Sequence, residues 1–139
     1  MSTSVTLERV AAFFTAEGLG YIPDPEQDAV LSGFDDVAIA VYVREILLVS
    51  AQWRAQATPA EASALLEAAN EWNAGHPAPI VFLAEEDGVR VQFKRGISLL
   101  DLDEEQLSYF LASSISAIAA ACQWFAQKFP ALVTWESHE

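Results

Sequence analysis

From Val37 to Trp53 the chain carries a period of two. Val37, Ile39, Val41 and Val43 alternate with Ala38, Ala40, Tyr42 and Arg44, and Ile46 to Trp53 is a second run rich in β-branched residues. Successive strand side chains point to opposite faces, so such alternation marks strands with one face buried. Only Arg44-Glu45 separates the two runs, which is enough for a tight polar turn. A parallel crossover takes a dozen or more residues, so these strands must pair antiparallel. Ala29 to Gly33 reads as a further short strand. Before it, Pro23 and Pro25 break any helix in the acidic turn Asp24-Pro25-Glu26-Gln27-Asp28. Tyr21 to Trp53 is therefore read as an antiparallel meander of three or four strands.

Helices flank this meander. Leu7, Val10, Ala11, Phe14 and Ala16 follow the helical period over Thr6 to Gly18, with Thr6 or Ser4 as N-cap and Gly18 at the C-terminal end. Thr58-Pro59-Ala60-Glu61 is the clearest local signal: a capping threonine, proline at the first helical position and glutamate closing a capping box. The helix it opens carries Ala62, Leu65, Leu66, Ala69 and Trp72 and ends at Gly75, with Pro77 just beyond. Pro79 to Glu85 and Val89 to Ile97 flank Glu86-Asp87-Gly88, and Asp-Gly between apolar runs predicts a hairpin. The last helix starts at Asp101 or Asp103, has Glu104 and Glu105 at its positive end, and stops at Phe129-Pro130. The order is helix, three or four strands, helix, two strands, helix. Antiparallel strand groups beside helices make an α+β fold, with the strands before Thr58 sharing one sheet with those after Pro79. At 139 residues, without repeat or low-complexity linker, the chain is expected to be one domain, with a core over about residues 5–129 and a tail over 130–139.

Charge narrows the partners. Seven Lys+Arg against twenty Asp+Glu give a net charge of -13. Phosphate contacts need a basic surface, so a nucleic-acid partner is not expected, nor is docking on anionic lipid. The single cysteine, Cys122, allows neither an internal disulfide nor a CxxC site. The first residues lack the basic and apolar pattern of a signal peptide, and a cytoplasmic location is expected. Gln106 to Gln127 runs 22 residues without a charge. Its glutamines and serines make it amphipathic rather than uniformly apolar, so it is read as a helix of the domain and not as a membrane span.

No HExxH, phosphate-binding glycine loop or GxSxG elbow occurs in the sequence. His76 and Cys122 could form a nucleophilic pair only if they met, and Cys122 falls on one helical face with Ile115, Ile118 and Phe125, as a small buried hydrophobe does. The other histidine, His138, lies in the tail. Asp24, Glu26 and Asp28 alternate like the start of a calcium loop, but the required glycine at the sixth position is Ala29. Glu85-Glu86-Asp87 reads as a solvated hairpin tip, and Asp101 and Asp103 as helix caps. No metal or other cofactor is expected. Asn70, Trp72 and Asn73 either line a small pocket or serve structure, Trp72 packing on the sheet and the asparagines satisfying backbone groups near the helix end.

The last helix is the most informative element. At 100° per residue, Leu107, Leu111, Ser114, Ile118, Cys122 and Phe125 share one face, the expected core face. The opposite side holds Ala112, Ser116, Ala119, Ala120, Gln123 and Gln127, with no charge at all, and Trp124 lies off the core stripe. A solvated helix face in so acidic a chain normally carries charge. Two readings follow: a second copy covers this side, or the helix is central and its own chain covers both sides.

Asn70-Glu71-Trp72-Asn73 followed by Pro79 and an apolar strand, Leu48-Val49-Ser50-Ala51-Gln52-Trp53 before the second helix, and Glu104-Glu105-Gln106-Leu107 at the last helix resemble the bacterial YbjN domain family. The resemblance spans roughly Leu7 to Trp124. It implies an α+β fold similar to type III secretion chaperones, small acidic dimers that hold other polypeptides. It also implies a regulatory role in sensory transduction, without a defined catalytic activity. The expectation is thus a non-enzymatic, homodimeric protein-interaction domain, chaperone-like or a regulatory adaptor, with an unidentified protein partner. Its candidate interface is Ala112, Ser116, Ala119, Ala120, Gln123 and Trp124. The alternative is a small-ligand sensor with a pocket between sheet and helices near Trp53 and Trp72, flanked by Asn70 and Asn73.

Overall fold

The structure, a computed structural model, describes residues 4–98 and 102–135. Its elements are α1 (Leu7–Ala16), β1 (Ile22–Asp24), β2 (Ala29–Phe34), β3 (Val37–Val43), β4 (Ile46–Trp53), α2 (Ala62–Gly75), β5 (Ile80–Glu85), β6 (Val89–Ser98) and α3 (Glu104–Lys128). The six strands form one sheet in the order β1-β2-β3-β4-β6-β5, every neighbouring pair antiparallel. The meander therefore has four strands. The pairing of β4 with β6, Ala51 opposite Phe93 and Leu47 opposite Ile97, joins it to the second hairpin. This is the α+β antiparallel architecture read from the sequence.

Local chemistry sets most boundaries. Thr6, not Ser4, caps α1, its hydroxyl oxygen accepting from the Arg9 N–H at 3.2 Å. The Glu61 carboxylate accepts from both the N–H and the hydroxyl of Thr58, at 2.9 and 3.0 Å, and fixes the 3-10 turn over 59–61 that feeds α2. Asp103 caps α3. Its carboxylate accepts from Gln106 N–H at 2.8 Å while the Gln106 carboxamide oxygen accepts from Asp103 N–H at 2.9 Å, a full capping box. Asp101 and His138 lie outside the described residues. At the hairpin tip Asp87 and Gly88 take φ of +54° and +97°, the left-handed region that an Asp-Gly pair tolerates.

The sheet is covered on one side. Val37, Ile39, Val41, Leu47, Val49, Ala51, Trp53, Val89, Val91 and Phe93 are buried and share the side on which the helices pack. From α3, eight residues are buried: Leu107, Phe110, Leu111, Ser114, Ile118, Ala121, Cys122 and Phe125. They include the whole expected core stripe. By length and composition α3 could cross a membrane, but this face is packed into the domain, as in a core helix. Two details differ from the sequence reading. On α2 the inward residue is Ala68, while Leu66 is 52% exposed; the helical phase set by Leu65, Ala69 and Trp72 turns position 66 outward. The core also continues beyond residue 129, since Leu132 is buried and the Trp135 ring meets Trp53 at 6.2 Å, edge to face.

Both edges of the sheet are blunted. At one end β1 is three residues long and contains Pro23. At the other end α2 lies along β5. The Asn73 carboxamide donates to the Val81 carbonyl at 2.8 Å and accepts from the Val81 N–H at 2.9 Å. It takes the place of a neighbouring strand and satisfies the edge backbone.

Adjacent residues of α3 should report its two faces. Leu111→Ala should cost about 2–5 kcal/mol in urea unfolding, whereas Ala112→Ser should stay within about 0.5 kcal/mol. Equal effects at the two positions would contradict the seating of this helix.

Candidate functional site

The residues expected to form a site separate into an exposed helix strip and a buried aromatic chain. Ala112, Ser116, Ala119, Ala120, Gln123 and Gln127 are exposed, and among the described residues nothing of the chain covers them. The reading in which α3 is enclosed on both sides by its own chain is thereby corrected. Trp124 does not belong to the strip. Its ring is half-buried, 5.5 Å from Trp72 and 5.0 Å from Phe125, with the Lys128 ammonium 4.7 Å above it. At position 124 the helix turns the side chain toward α2 rather than toward solvent.

Trp53 and Trp72 are links in that aromatic chain. The His76 ring stacks on Trp72 at 3.6 Å. Trp72 leads to Trp124 and Phe125, and Phe125 meets Trp53 at 5.9 Å. The Trp72 indole N–H donates to the Pro79 carbonyl at 3.1 Å. Trp53 is fully buried, and its Nε1 has no hydrogen-bond partner among the described residues. Asn73 is committed to Val81, and Asn70 is exposed on the outer side of α2. Trp72 and Asn73 thus hold the α2–β5 junction together, and Asn70 points away from it.

The titratable groups singled out in the sequence have ordinary surroundings. His76 places Nδ1 3.0 Å from the Trp72 carbonyl oxygen. Cys122 is buried, and desolvation, with a further contribution from the charge of Asp36, pushes its thiol far above the usual range. It is neutral at physiological pH and is not an activated nucleophile. The Asp24 carboxylate accepts from the Gln27 carboxamide at 2.9 Å, within a 3-10 turn over 25–27. Among the described residues no group of three or more His, Cys, Asp or Glu could hold a metal ion.

Two features were not read from the sequence. The first is the open face of the sheet. Across the strands run the rows Leu31–Ala40–Ser50–Lys94–Ile80 and Gly33–Ala38–Gln52–Gln92–Phe82. Neither row contains a carboxylate, and Ile80 and Ile46 are exposed beside them. The alternation was legible, but its outward half attracts no notice because it is mostly neutral, with Lys94 as the charge in these rows. The second is Arg95, on the helix-facing side of β6 in the series Val89, Val91, Phe93, Arg95, Ile97. Its Nη1 donates to Ser113 Oγ at 2.6 Å, to Ser114 Oγ at 3.0 Å and to the Phe110 carbonyl at 3.5 Å, and its guanidinium lies 5.0 Å from the Phe110 ring centre. The sequence signal was available: a charge at a position where the period demands an apolar residue.

Two measurements check these placements. Asn73→Ala strands two edge groups of β5 and should cost about 1–3 kcal/mol, while Asn70→Ala should change stability by less than about 0.5 kcal/mol; comparable losses at both would refute the assignment. The raised Cys122 pKa also fixes a sign. Its stabilisation is intact below the ordinary thiol range near about 8.5. Above that the unfolded chain loses a proton that the native chain keeps, so stability falls as pH rises. Cys122→Ala should flatten this alkaline fall in a urea–pH profile, and an unchanged slope would contradict it.

Comparison with known proteins agrees with the topology. The family model for YbjN, described as "Putative bacterial sensory transduction regulator", matches residues 6–127. The crystal structure of YbjN from E. coli, described as "a putative transcription regulator", superposes with a TM-score of 0.73 at 17% identity, covering 91% of this chain and 94% of that one. At that identity the likeness shows the fold alone. No curated protein matches the sequence. With a meander, a helix stapled to the edge of the second hairpin and a long covering helix, matched over residues 6–127, the chain belongs to the YbjN family.

Proposed function

We propose that this YbjN-family domain is a regulatory adaptor that acts through protein contact rather than catalysis, and that it pairs with a second copy through the outer strip of α3. The observation that carries this reading is the exposure of Ala112, Ser116, Ala119, Ala120 and Gln123, all uncharged, in a chain of net charge -13. Two such chains repel, so a stable contact has to keep carboxylates at its rim and neutral groups at its centre. Ala112, Ser116, Ala119 and Gln123 follow one another at intervals of four, three and four, the spacing of a helix–helix seam. Small side chains along it let two helix axes approach to about 8–10 Å. Trp124, engaged with Trp72, borders this contact and does not form its centre.

The open face of the sheet is left for a different protein partner. Chaperone-like holding of a polypeptide would use such a surface: half-apolar, with Lys94 as the charge in its central rows and no acid there. Catalysis has less support, since Cys122 is a buried neutral thiol and His76 is engaged with Trp72. A cytoplasmic site of action fits the unpaired cysteine.

Sedimentation equilibrium tests the pairing. The native chain should be a dimer. Ala120→Glu should be a monomer with unchanged circular dichroism, because position 120 is exposed and a glutamate there meets no core. Ser50→Glu, on the open sheet face, should remain a dimer. A native chain that stays monomeric at high concentration defeats the reading, and dissociation by Ser50→Glu instead of Ala120→Glu moves the contact to the sheet.

A further inference from the structure

We propose that Arg95 anchors the carboxylate of a small amphipathic monocarboxylic acid in the cleft between β6 and the first turns of α3. The site does not depend on self-association.

Arg95 occupies the helix-facing side of β6 and is half-buried, two residues beyond the fully buried Phe93. A guanidinium taken partly out of water calls for a counter-ion. The chain holds twenty carboxylates, yet among the described residues every contact of Arg95 is neutral: two hydroxyls, one carbonyl and one aromatic ring. All three hydrogen bonds leave from a single nitrogen, Nη1. Nε and Nη2 make none. Trp53 Nε1 alone, among the described side-chain nitrogens and oxygens, is both buried and unpartnered, so these two nitrogens reach solvent. The Nε–Nη2 edge is the pair of parallel N–H groups that a carboxylate accepts side-on with both oxygens. The Nη1 bonds hold the guanidinium still, and the free edge remains available.

Arg95 lines a cleft of about 570 Å³, the size of small-molecule sites. Ile97, Leu102, Phe110 and Tyr109 supply apolar and aromatic wall, and Ser113 adds a hydroxyl. Tyr109 is 65% exposed, a large ring left at the rim without a partner ring. These walls suit an aryl or short alkyl body. Asp103 and Glu105 stand at the mouth. They disfavour a ligand with two or more negative charges, so a phosphate ester or a dicarboxylate fits less well than a monocarboxylate.

Phenylacetate is a suitable probe, titrated into the isotope-labelled full chain and followed by NMR. Saturable shifts are expected at the Arg95 Nε–H and at the amides of Ile97, Phe110 and Ser113. Phenylacetamide, equal in shape but neutral, should bind at least about tenfold more weakly, the usual loss when a charge-assisted hydrogen-bond pair is removed. Arg95→Gln should weaken phenylacetate by a similar factor, with amide shifts in the free protein confined to the neighbours it bonds, Phe110, Ser113 and Ser114, and the rest of α3 unmoved. Tyr109→Ala, at an exposed position, gives a second variant that should weaken binding without touching the fold. The proposal is overturned if phenylacetate produces no saturable shift at millimolar concentration, if its shifts map away from Arg95, or if phenylacetamide binds as tightly. Tighter binding of phenyl phosphate than of phenylacetate would overturn the monocarboxylate assignment.

Discussion

The seating of α3 on the helix-facing side of the sheet is the contact on which the rest of this fold depends. The six strands come from two separate segments, and β4 and β6 meet only because 59–79 loops out as α2 and returns. Their joint inner face exposes Val49, Ala51, Phe93 and Trp53 to whatever lies above it. Eight buried residues of α3 close that face. Burying each large apolar side chain contributes about 1.5–3 kcal/mol, set against the entropy of ordering a helix of 25 residues. The last turns of α3 then carry the contact sideways. Phe125 meets Trp53 and Phe93 beneath it, and Trp124 meets Trp72 on α2. One helix thereby fixes the sheet, the second helix and, through Trp53 and Trp135, the segment that follows it.

The acidic balance governs the surface in a second way. With twenty acids and seven bases, pairing cannot neutralise the chain. The bases are not spent chiefly on acids either. Arg44 donates twice to the Gln27 carbonyl, Arg54 to the Asp35 carbonyl, and Arg90 to the carbonyls of Arg54 and Glu86. These guanidinium groups tie turns to strand ends, where loop carbonyls would otherwise rely on water. Many acids stay in turns and at helix N-termini, where solvent and the helix dipole favour them, while Glu67 and Glu71 lie on the exposed side of α2. What remains free of charge is the α3 strip, and the central rows of the open sheet face carry no acid, only Lys94. Surface free of acids is the scarce resource on this molecule, and these are two such places.

Most of the fold was legible because it rests on periodicity and capping, which are local. The alternation over Val37 to Trp53, the Thr58 to Glu61 turn and the Asp-Gly hairpin all specify their own geometry within a few residues. Other features needed the tertiary arrangement. The three-residue β1 is set only by pairing with β2, and Pro23 within it and Pro25 just after it hide it. Asn73 looks like any helix-surface asparagine until β5 arrives beside it. Leu66 and Ala68 exchange places because helical phase, not hydrophobicity, decides which residue faces inward. Of the expected site, the strip from Ala112 to Gln123 was read from spacing and is exposed as a group. Trp124 was not separable from it, since its partner Trp72 lies more than fifty residues away in sequence. Trp53 and Trp72, expected beside a pocket, are engaged in ring contacts, and the cleft lined by Arg95 lies at the other end of α3.

Arg95 breaks the rule that the rest of β6 follows. A methionine at that position would fill similar space and need no acceptors, whereas the guanidinium requires Ser113, Ser114 and the Phe110 carbonyl simply to hold one nitrogen. Ser114 is itself the one buried polar residue of α3 and also donates to the Phe110 carbonyl at 2.6 Å. A small polar network has therefore been built into the helix–sheet interface around a charge that no carboxylate among the described residues pairs with. Such a network costs stability wherever an apolar core would serve, because partly satisfied polar groups are worse than none. Local consistency is commonly broken at functional positions. Here Nη1 is held by the protein, Nε and Nη2 carry no hydrogen bond among the described residues, and Arg95 lines a cleft with Ile97, Leu102 and Tyr109. That division is what an anion site requires: a cation held rigid from behind, with its bidentate edge kept clear in front.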